Sequence, residues 1–419
     1  MKPDQFPRLF GISEDPGADP FAMQNRLGAG GPTVLQVVPE LNTGGVERGT
    51  VDMVGAITRA GGRALVVSSG GRLEREVARL GGRHITLPVK SKAPLTIFRN
   101  IRRLEEIIRD QGVDIVHARS RAPAWSAYFA AQRCEVAFVT TFHGVYNGHR
   151  GPKRLYNSVM ARGDRVIAIS HYVARHIRTV YGTDWARIRV IHRGIDTDVF
   201  RPDAVSPERS IQLATKWRLP DDKFVILLPA RLTRWKGALT LIRAAALLNR
   251  DDIRILLVGD DQGRTGFVRE LEKTIAELNL TGVVQIAGHC DDMAAAYKLS
   301  DVVVHASVEP EGFGRVIVEA QALGRPVIAT RIGAPPETVV HEETGWLVDP
   351  DDPQALADAL TRALSLSPAE REIWAARAIE NAHGRFTRER MATRTLALYG
   401  EVTAHTPWLE LGDQSTDSP

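Results

Sequence analysis

The sequence has few of the features that mark secreted, metal-binding or membrane-spanning proteins. Only two cysteines, Cys134 and Cys290, occur in 419 residues. They lie far apart and lack zinc-ligand spacing, which excludes a disulfide scaffold and a zinc ribbon. The longest apolar runs, such as 224–229 and 253–258, are far shorter than the about 20 residues of a membrane-spanning helix. The N-terminus lacks a basic stretch followed by an apolar one, so we expect no secretion and a cytoplasmic protein.

The composition is that of a globular protein, and its charge is unevenly distributed. Hydrophobic residues make up 43% and charged residues 25% of the chain, which argues against disorder. The formal net charge is +4. Residues 32–200 carry 26 Lys and Arg against 14 Asp and Glu, or +12, whereas residues 201–385 carry 22 against 27, or −5. A basic first half is suited to an anionic partner, such as a substrate, a membrane surface or nucleic acid; it is equally consistent with a solvated arginine-rich surface. No zinc finger, basic zipper or aromatic-rich basic strand supports nucleic acid, and we expect none as a partner.

Short β-type runs alternate with helical patterns along most of the chain. Strands are predicted at 33–38, 63–68, 84–87, 114–117, 136–140, 165–169, 188–191, 224–229, 253–258, 283–287, 302–305 and 326–329. Helical patterns are predicted at 46–60, 71–81, 95–111, 171–179, 237–249, 266–278, 291–299, 314–323, 353–364 and 387–402. Apolar strands that alternate with amphipathic helices predict an α/β fold of parallel sheets covered on both faces.

The pattern pauses at a turn-rich segment, 192–204, and then restarts, which indicates two doubly wound domains with a cleft between them. We predict an N-terminal domain over 32–200 and a C-terminal domain over 201–386. Residues 1–31 and 405–419 are expected to be tails, and 387–404 a last helix. Ligands of open parallel sheets bind at the carboxyl ends of the strands, so motifs at those positions matter most.

Two glycine-containing motifs follow strands of the first domain. Asn42–Glu47 includes Gly44 and Gly45 between the first strand and the first helix, where the backbone can approach a phosphate. The glycine spacing differs from the dinucleotide-binding fingerprint, which speaks against a nicotinamide oxidoreductase. The second motif, 140–144, places His143 beside a glycine at the end of a buried strand. A plain turn and a structural histidine are the alternative interpretations of these two features.

A basic motif follows the first strand of the second domain. Arg231 and Lys236 lie on one strand-to-helix turn, with Gly237 next in the chain. Arginine can hold a diphosphate through its forked guanidinium and lysine as a point charge. The alternative is a solvated basic loop.

The most specific motif is Glu309–Glu319, after the predicted strand 302–305. Glu311 opens a Gly312-Phe313-Gly314 loop, and Glu319 lies eight residues further on, inside the next helix. Backbone N–H groups at a helix N-terminus suit a phosphate or sugar oxygen, and carboxylates accept hydrogen bonds from vicinal hydroxyls. A surface helix with two ordinary glutamates is the alternative.

These motifs together resemble glycosyltransferase family 4, the group 1 glycosyltransferases. Glu311 and Glu319 match the family's pair of glutamates with seven residues between them, and 231–237 matches its Arg-x-x-x-x-Lys-Gly segment. His143, Gly44-Gly45, 194–196 before 200–202, and 344–348 match in order. The resemblance covers about residues 33–399 and implies the GT-B architecture, with two Rossmann-like domains facing across a cleft and a C-terminal helix crossing back to the first. One departure is 333–337, which replaces the usual Gly-Gly-x-x-Glu, and we place no site there.

The resemblance also implies roles for individual residues. Arg231 and Lys236 would hold the donor's diphosphate, Glu319 its ribose, and Glu311 with the backbone of Gly312–Gly314 its sugar. His143 and Gly45 would contact the sugar and phosphate from the first domain. Accordingly, the expected catalytic residues are His143 and Glu311, and the expected nucleotide-sugar-binding residues are Gly44, Gly45, Arg231, Lys236, Gly312, Phe313, Gly314 and Glu319.

The implied reaction is transfer of a hexose from a nucleotide diphosphate sugar to a hydroxyl, with retained anomeric configuration. No metal and no other cofactor is expected, since cations and N–H dipoles can stabilise the leaving diphosphate. Asp196-Thr197-Asp198 resembles a metal-binding Asp-x-Asp, but it lies in the predicted linker and is interpreted as a turn.

The basic first domain favours an anionic acceptor. Candidates are a phosphorylated lipopolysaccharide core, a polyprenyl-diphosphate-linked glycan and a phospholipid, which place the enzyme in cell-envelope biosynthesis. Peripheral attachment to the inner face of the membrane follows as an expectation.

Two other functions remain open from the sequence. One is a nucleotide-sugar 2-epimerase on the same fold, which would convert the donor without an acceptor. The other is a non-catalytic nucleotide-sugar-binding protein, which we would expect to lack Glu311, Lys236 or His143.

Overall fold

The computed structural model describes residues 30–42, 44–148 and 150–413. The predicted tail 1–31 lies almost wholly outside the described residues. Two parallel sheets with helices between their strands make up most of this part of the chain. The predicted α/β fold class is therefore confirmed.

The first sheet has seven strands in the order β3-β2-β1-β4-β5-β6-β7. Its strands are β1 Thr33–Val37, β2 Arg63–Ser68, β3 Arg83–Thr86, β4 Ile115–Ala118, β5 Ala137–Phe142, β6 Arg165–Ala168 and β7 Ile188–Val190. Its helices are α1 Gly45–Arg59, α2 Glu74–Arg79, α3 Pro94–Gln111, α4 Arg121–Cys134, α5 Gly151–Asn157 and α6 His171–Tyr181. All five residues of β1 are buried, as expected of a central strand with helices on both faces.

The second sheet has six strands in the order β10-β9-β8-β11-β12-β13. Its strands are β8 Phe224–Pro229, β9 Ile253–Val258, β10 Val284–Gly288, β11 Val302–His305, β12 Val327–Thr330 and β13 Gly345–Val348. The helices that follow β7 along the chain are α7 Pro207–Trp217, α8 Ala238–Leu248, α9 Thr265–Glu277, α10 Met293–Leu299, α11 Arg315–Ala322, α12 Pro335–Thr338, α13 Pro353–Leu364, α14 Pro368–Arg385, α15 Arg388–Thr403 and α16 Thr406–Asp413.

Alternate side chains of β8 supply the hydrophobic cores on the two faces of this sheet. Ile226 and Leu228 belong to one core, and Val225 and Leu227 belong to the other. The strand is therefore covered on both sides, and its carboxyl end is where the chain leaves the packed layers. Because β8 and β11 are neighbours in the sheet, the segments that follow them meet at the same edge.

The chain divides into two compact units, one of residues up to Thr140 with Tyr399–Glu410 and one that includes Thr141–Leu398. The predicted domain boundaries, 32–200 and 201–386, stay a prediction. No helix in the described ranges has the length and apolar content required to cross a bilayer.

The predicted tail 405–419 is wrong over part of its length, because α16 covers Thr406–Asp413. Trp408 is 2% exposed, and its indole Nε1 donates a hydrogen bond to the carbonyl of Ala60 at 3.0 Å. The indole ring packs so close to Gly62 that a Cβ there would lie 2.7 Å from it. A single buried tryptophan thus orders a segment whose composition is typical of a polar tail.

The predicted turn is confirmed at Asp196-Thr197-Asp198. The Asp196 carboxylate accepts the backbone N–H of Asp198 at 3.1 Å and also pairs with Arg388 at 2.6 Å. Both contacts are structural, so the Asp196 carboxylate serves the turn.

Candidate active site

A lysine and a glutamate meet at the carboxyl edge of the second sheet. Lys236 lies in the turn after β8, and Glu311 lies in the loop after β11. The Lys236 ammonium forms an ion pair with Oε1 of Glu311, and both side chains are largely buried. Two of the residues that the sequence singles out are thus brought into contact by neighbouring strands.

Two further side chains converge on the same carboxylate oxygen. Ser307 donates its hydroxyl hydrogen bond to Glu311 Oε1 at 3.1 Å, and His305 Nε2 lies 3.3 Å from that oxygen. Burial and the neighbouring Lys236 lower the pKa of His305 to about 3, so this imidazole is neutral. The carboxylate is therefore held in one orientation by a lysine, a serine and a neutral histidine.

Positive charge is concentrated beside this carboxylate. Burial, with the nearby Arg231 as a second cause, lowers the pKa of Lys236 to about 7. The Lys236 ammonium also lies 4.2 Å from the centre of the Trp235 ring, a cation–π contact. Arg231 is exposed, so its guanidinium can reach an anion in solvent.

Gly237 lets the basic turn pass against the chain after β11. Its φ of +74° is left-handed, and a Cβ there would lie 1.8 Å from the carbonyl oxygen of Ala306. Only glycine allows both the backbone conformation and this close approach. The position of Lys236 relative to Glu311 depends on it.

Gly237→Ala is expected to destabilise the protein by at least about 2 kcal/mol, because a side chain there meets backbone atoms as well as left-handed strain. Gly263→Ala is the matched control, since Gly263 has a φ of +76° and a Cβ there would have nothing within 4 Å. It is expected to cost about 1 kcal/mol. Chemical denaturation of both variants checks this, and equal losses would contradict the proposed clash.

The glycine-rich loop after Glu311 leads directly into α11. Gly314 has a φ of +82° and caps the helix, so the first N–H groups of α11 point out of its N-terminus. A Cβ on Gly312 would lie 2.9 Å from Cα of Gly144, so this loop touches the segment after β5. Phe313 is 4% exposed, and its ring packs near Phe386 and His192. Its side chain thus belongs to the packing, which leaves the backbone of the loop for a ligand.

Glu319 lies in α11 and is bound by two protein side chains. The Tyr297 hydroxyl donates a hydrogen bond to Oε2 at 2.8 Å, and Arg315 pairs with Oε1 at 2.9 Å. Burial, followed by the charge of Glu319, raises the pKa of Tyr297 well above its usual range. The Glu319 carboxylate is therefore fixed, with its partners Arg315 and Tyr297 already in place.

His143 follows β5 and is held by an arginine that the sequence analysis did not single out. Arg193 Nη1 lies 2.8 Å from His143 Nδ1, and Arg193 is 7% exposed. His143 and its neighbour Gly144 lie beside the Gly312 loop. The structure thus brings His143, Gly312 and Glu311 into one region of the unit that includes Thr141–Leu398.

Gly44 and Gly45 lie in the other unit, at the beginning of α1. Gly44 is the N-terminal cap of the helix, and Gly45 is its first residue. Thr43 of the same motif lies outside the described residues. The two glycines occupy the turn between β1 and α1, as the sequence predicts.

The segment 333–337, where the sequence analysis placed no site, contains a carboxylate with several partners. Glu337 accepts the backbone N–H groups of His171 and Tyr172, both at 2.7 Å, and lies 3.1 Å from His192 Nε2. These hydrogen bonds to the ionised form lower its pKa against the opposing effect of burial. His171, His192 and Glu337 offer the three ligand atoms that a metal needs, but the capping of α6 accounts for the carboxylate without an ion.

Several residues of this region escaped the sequence analysis. His305 is the last residue of β11, so its place at a strand's carboxyl end was a usable signal. Ser307, Tyr297 and Arg193 carry no motif of their own, and only the folded chain shows their contacts.

Comparison with known proteins gives the family. The model of glycosyl transferases group 1 matches residues 211–382, and that of Glycosyltransferase Family 4 matches residues 43–199. A D-inositol 3-phosphate glycosyltransferase of Xylanimonas cellulosilytica is 31% identical over 72% of this chain and 75% of its own length.

Solved structures agree with the fold. A glycosyltransferase from Rickettsia africae has 38% sequence identity and a TM-score of 0.84, and the match covers 90% of this chain and 99% of that one. HepE of Anabaena in complex with UDP has 23% identity and a TM-score of 0.75 over 88% of this chain and all of its own. These likenesses confirm the predicted GT-B fold class. The chain belongs to the group 1 glycosyltransferases of family 4, and it is a glycosyltransferase.

Proposed function

We propose that this enzyme transfers a hexose from a nucleotide diphosphate sugar to a hydroxyl group of an anionic acceptor. The observation that carries the proposal is the Lys236–Glu311 cluster, with Arg231 and the N-terminus of α11 beside it. It combines groups that bind phosphate with a carboxylate that binds hydroxyls, and a nucleotide sugar presents both.

In this account the cluster acts mainly on the leaving group. Negative charge grows on the diphosphate as the glycosidic bond breaks, and Lys236, Arg231 and the N–H groups that follow Gly314 stabilise that charge. Glu311 accepts hydrogen bonds from sugar hydroxyls, and Glu319 accepts one from the ribose. Because cations of the chain supply the electrostatic stabilisation, we propose that no metal is required.

The acceptor is proposed to be phosphorylated. Residues 32–200 carry a net charge of +12, and electrostatic attraction favours an anionic substrate there. The relative from Xylanimonas cellulosilytica is named for D-inositol 3-phosphate, a phosphorylated polyol. Inositol phosphate therefore joins the phosphorylated core glycans, polyprenyl-diphosphate glycans and phospholipids as an acceptor to test. We further propose retention of the anomeric configuration, which the family resemblance supports.

The direct test is a transfer assay with UDP-, GDP- and ADP-hexoses, each with and without EDTA. D-inositol 3-phosphate and unphosphorylated inositol serve as paired acceptors, and mass spectrometry detects the product. We expect transfer from one nucleotide class, undiminished by EDTA, with the phosphorylated acceptor preferred. NMR of the product gives the anomer. Conversion of the donor into an epimer without an acceptor would replace the proposal with the 2-epimerase, and no turnover with any acceptor class would contradict it.

The lowered pKa of Lys236 predicts that binding of the nucleotide sugar is coupled to proton uptake. Its pKa of about 7 in the free protein rises when a diphosphate binds, because negative charge favours the ammonium. Above about pH 7 the binding of a nucleotide sugar therefore takes up protons, and its affinity falls as the pH rises. Calorimetry in buffers of different ionisation enthalpy measures the uptake. Lys236→Arg is the control, since arginine stays charged; equal uptake in both proteins would contradict the assignment.

Peripheral membrane association is proposed to use one end of α3. Leu95 is 63% exposed and Phe98 is 48% exposed, and Arg102 lies 5.3 Å from the centre of the Phe98 ring. Exposed basic side chains lie close to these two residues in the sequence: Lys92, Arg99, Arg102 and Arg103. Exposed apolar side chains with basic neighbours suit an anionic lipid surface.

The Leu95→Ser/Phe98→Ser double variant is expected to bind anionic vesicles at least about tenfold more weakly, since each buried side chain contributes about 1.5–3 kcal/mol. Flotation with phosphatidylglycerol vesicles, against phosphatidylcholine vesicles, measures this. Ile211→Ser, at a residue 64% exposed on α7, is the matched control. Absence of wild-type binding at low salt, or an equal loss in the control, would remove the membrane proposal.

A further inference from the structure

We propose that Arg193 is a positioning residue that holds His143 as a neutral imidazole with its proton on Nε2. The inference rests on the proposed function, in which His143 contacts the donor sugar. In this contact His143 would be a hydrogen-bond donor through Nε2–H, and Arg193 would fix that tautomer.

The two side chains come from neighbouring regions of one unit. His143 follows β5, and Arg193 follows β7. Arg193 Nη1 lies 2.8 Å from His143 Nδ1, and only 7% of Arg193 is exposed. Solvent therefore competes little for this contact.

The backbone that carries Arg193 is itself fixed. A Cβ on the next residue, Gly194, would lie 2.3 Å from the carbonyl oxygen of Thr387. Ile195 is fully buried, and its N–H donates to the carbonyl of Phe386 at 2.9 Å. Because the chain on its carboxyl side is packed, the guanidinium approaches His143 from a set direction.

The donor chemistry of arginine decides the tautomer. A guanidinium carries only N–H donors and stays protonated, so the ring nitrogen that faces it has to accept. Nδ1 therefore keeps its lone pair, and the proton of the neutral ring lies on Nε2. In an imidazolium, Nδ1 would also carry a proton, so two N–H donors would face each other and two positive charges would lie in contact.

This arrangement prepares His143 for a sugar. Nε2–H is a hydrogen-bond donor whose direction is fixed before the donor binds, so little is lost in ordering it. The Nδ1–H tautomer would present a lone pair instead, and it would reverse the polarity of the contact. In this role Arg193 acts through His143, and no bond is made or broken at either side chain.

The test is a spectroscopic measurement of the tautomer at about pH 7. The chain contains 12 histidines, so His143→Asn identifies the His143 signals in ¹⁵N-labelled protein. We expect ¹⁵N shifts of a protonated Nε2 and an unprotonated Nδ1 in the wild type and in Arg193→Lys, which keeps a donor. In Arg193→Met we expect a mixture that includes Nδ1–H. A protonated Nδ1 in the wild type overturns the proposal, and this result does not depend on whether Arg193→Met folds. If Arg193→Met does fold, an unchanged tautomer in that variant also overturns the proposal.

A kinetic arm separates this inference from the proposed function. Arg193→Met is expected to lower kcat/KM for the nucleotide sugar by about 10- to 100-fold, the effect of one lost polar contact, and Arg193→Lys recovers most of it. The NMR arm needs no turnover. Absence of transferase activity with the expected tautomer therefore defeats the proposed function alone, whereas activity with the wrong tautomer defeats the inference alone.

Discussion

Lys236→Met is expected to lower kcat/KM for the nucleotide sugar by about 1000-fold, or about 4 kcal/mol. The largely buried ammonium at the edge of the second sheet is proposed to receive the diphosphate as it departs. Methionine is similar in length and apolar, so it fills the same space without the charge. Most of the loss is expected in the transition state, where the leaving group carries its largest charge. Steady-state kinetics with the donor varied measure the effect.

The matched control is Arg234→Met, two residues earlier in the same turn. Arg234 is exposed and pairs with Glu270. It is expected to change kcat/KM by less than about threefold, because exposed ion pairs contribute little. Equal losses in the two variants would mean that the general charge of the turn matters, and they would contradict a specific role for Lys236.

Glu311→Gln is expected to reduce kcat/KM by about 100-fold, or about 3 kcal/mol, with a small change in stability. Oε1 of Glu311 receives Lys236 and the Ser307 hydroxyl. The amide of glutamine has the same shape as the carboxylate but carries no charge. It therefore cannot form the ion pair with Lys236, and it accepts hydrogen bonds from sugar hydroxyls more weakly. The loss of kcat/KM should appear with the nucleotide sugar. The affinity for the free nucleotide should change little, since the free nucleotide lacks the hexose hydroxyls that Glu311 is proposed to bind.

Glu309→Gln provides the control for this substitution. Glu309 lies two residues earlier in the same loop and is exposed. It is expected to leave both kcat/KM and nucleotide binding within about twofold of the wild type. A loss of nucleotide affinity in Glu311→Gln as large as its loss of activity would indicate a disturbed loop and contradict the proposed hydroxyl contact.

Strands and sheet class could be predicted from the sequence because buried parallel strands are short, continuous apolar runs. β2, β8, β9 and β11 begin and end at the predicted residues. β13, a four-residue strand beside β12, was missed because it begins with a glycine, Gly345, and leaves only three apolar residues as a signal.

Besides α16 and the short α12, four helices were also missed. α4 is rich in alanine, so its pattern lacks a clear apolar stripe. α14 begins with a capping box at Ser367 and Glu370, a signal that the sequence does contain. The other two are α5 and α7.

Site residues could be predicted where a motif follows the end of a strand. Residues that join the site only through tertiary contacts could not be predicted from the sequence. The meeting of Lys236 and Glu311 follows from the adjacency of β8 and β11 in the sheet. The contact of Arg193 with His143 joins residues 50 positions apart without any motif at the arginine. Similarly, the Tyr297 hydroxyl on Glu319 depends on how α10 packs near α11. Such partners are set by packing, which spacing along the chain does not encode.

A crystal structure of the enzyme with the nucleotide sugar that it selects in the transfer assay would show where the diphosphate binds. We expect diphosphate oxygens within hydrogen-bond distance of Lys236 Nζ and of the N–H groups that begin α11, with sugar hydroxyls at Glu311. The Lys236–Glu311 pair would then be opened or shared with the ligand. A diphosphate bound elsewhere, with this pair unchanged, would exclude the proposed role of Lys236 and Glu311 in donor binding.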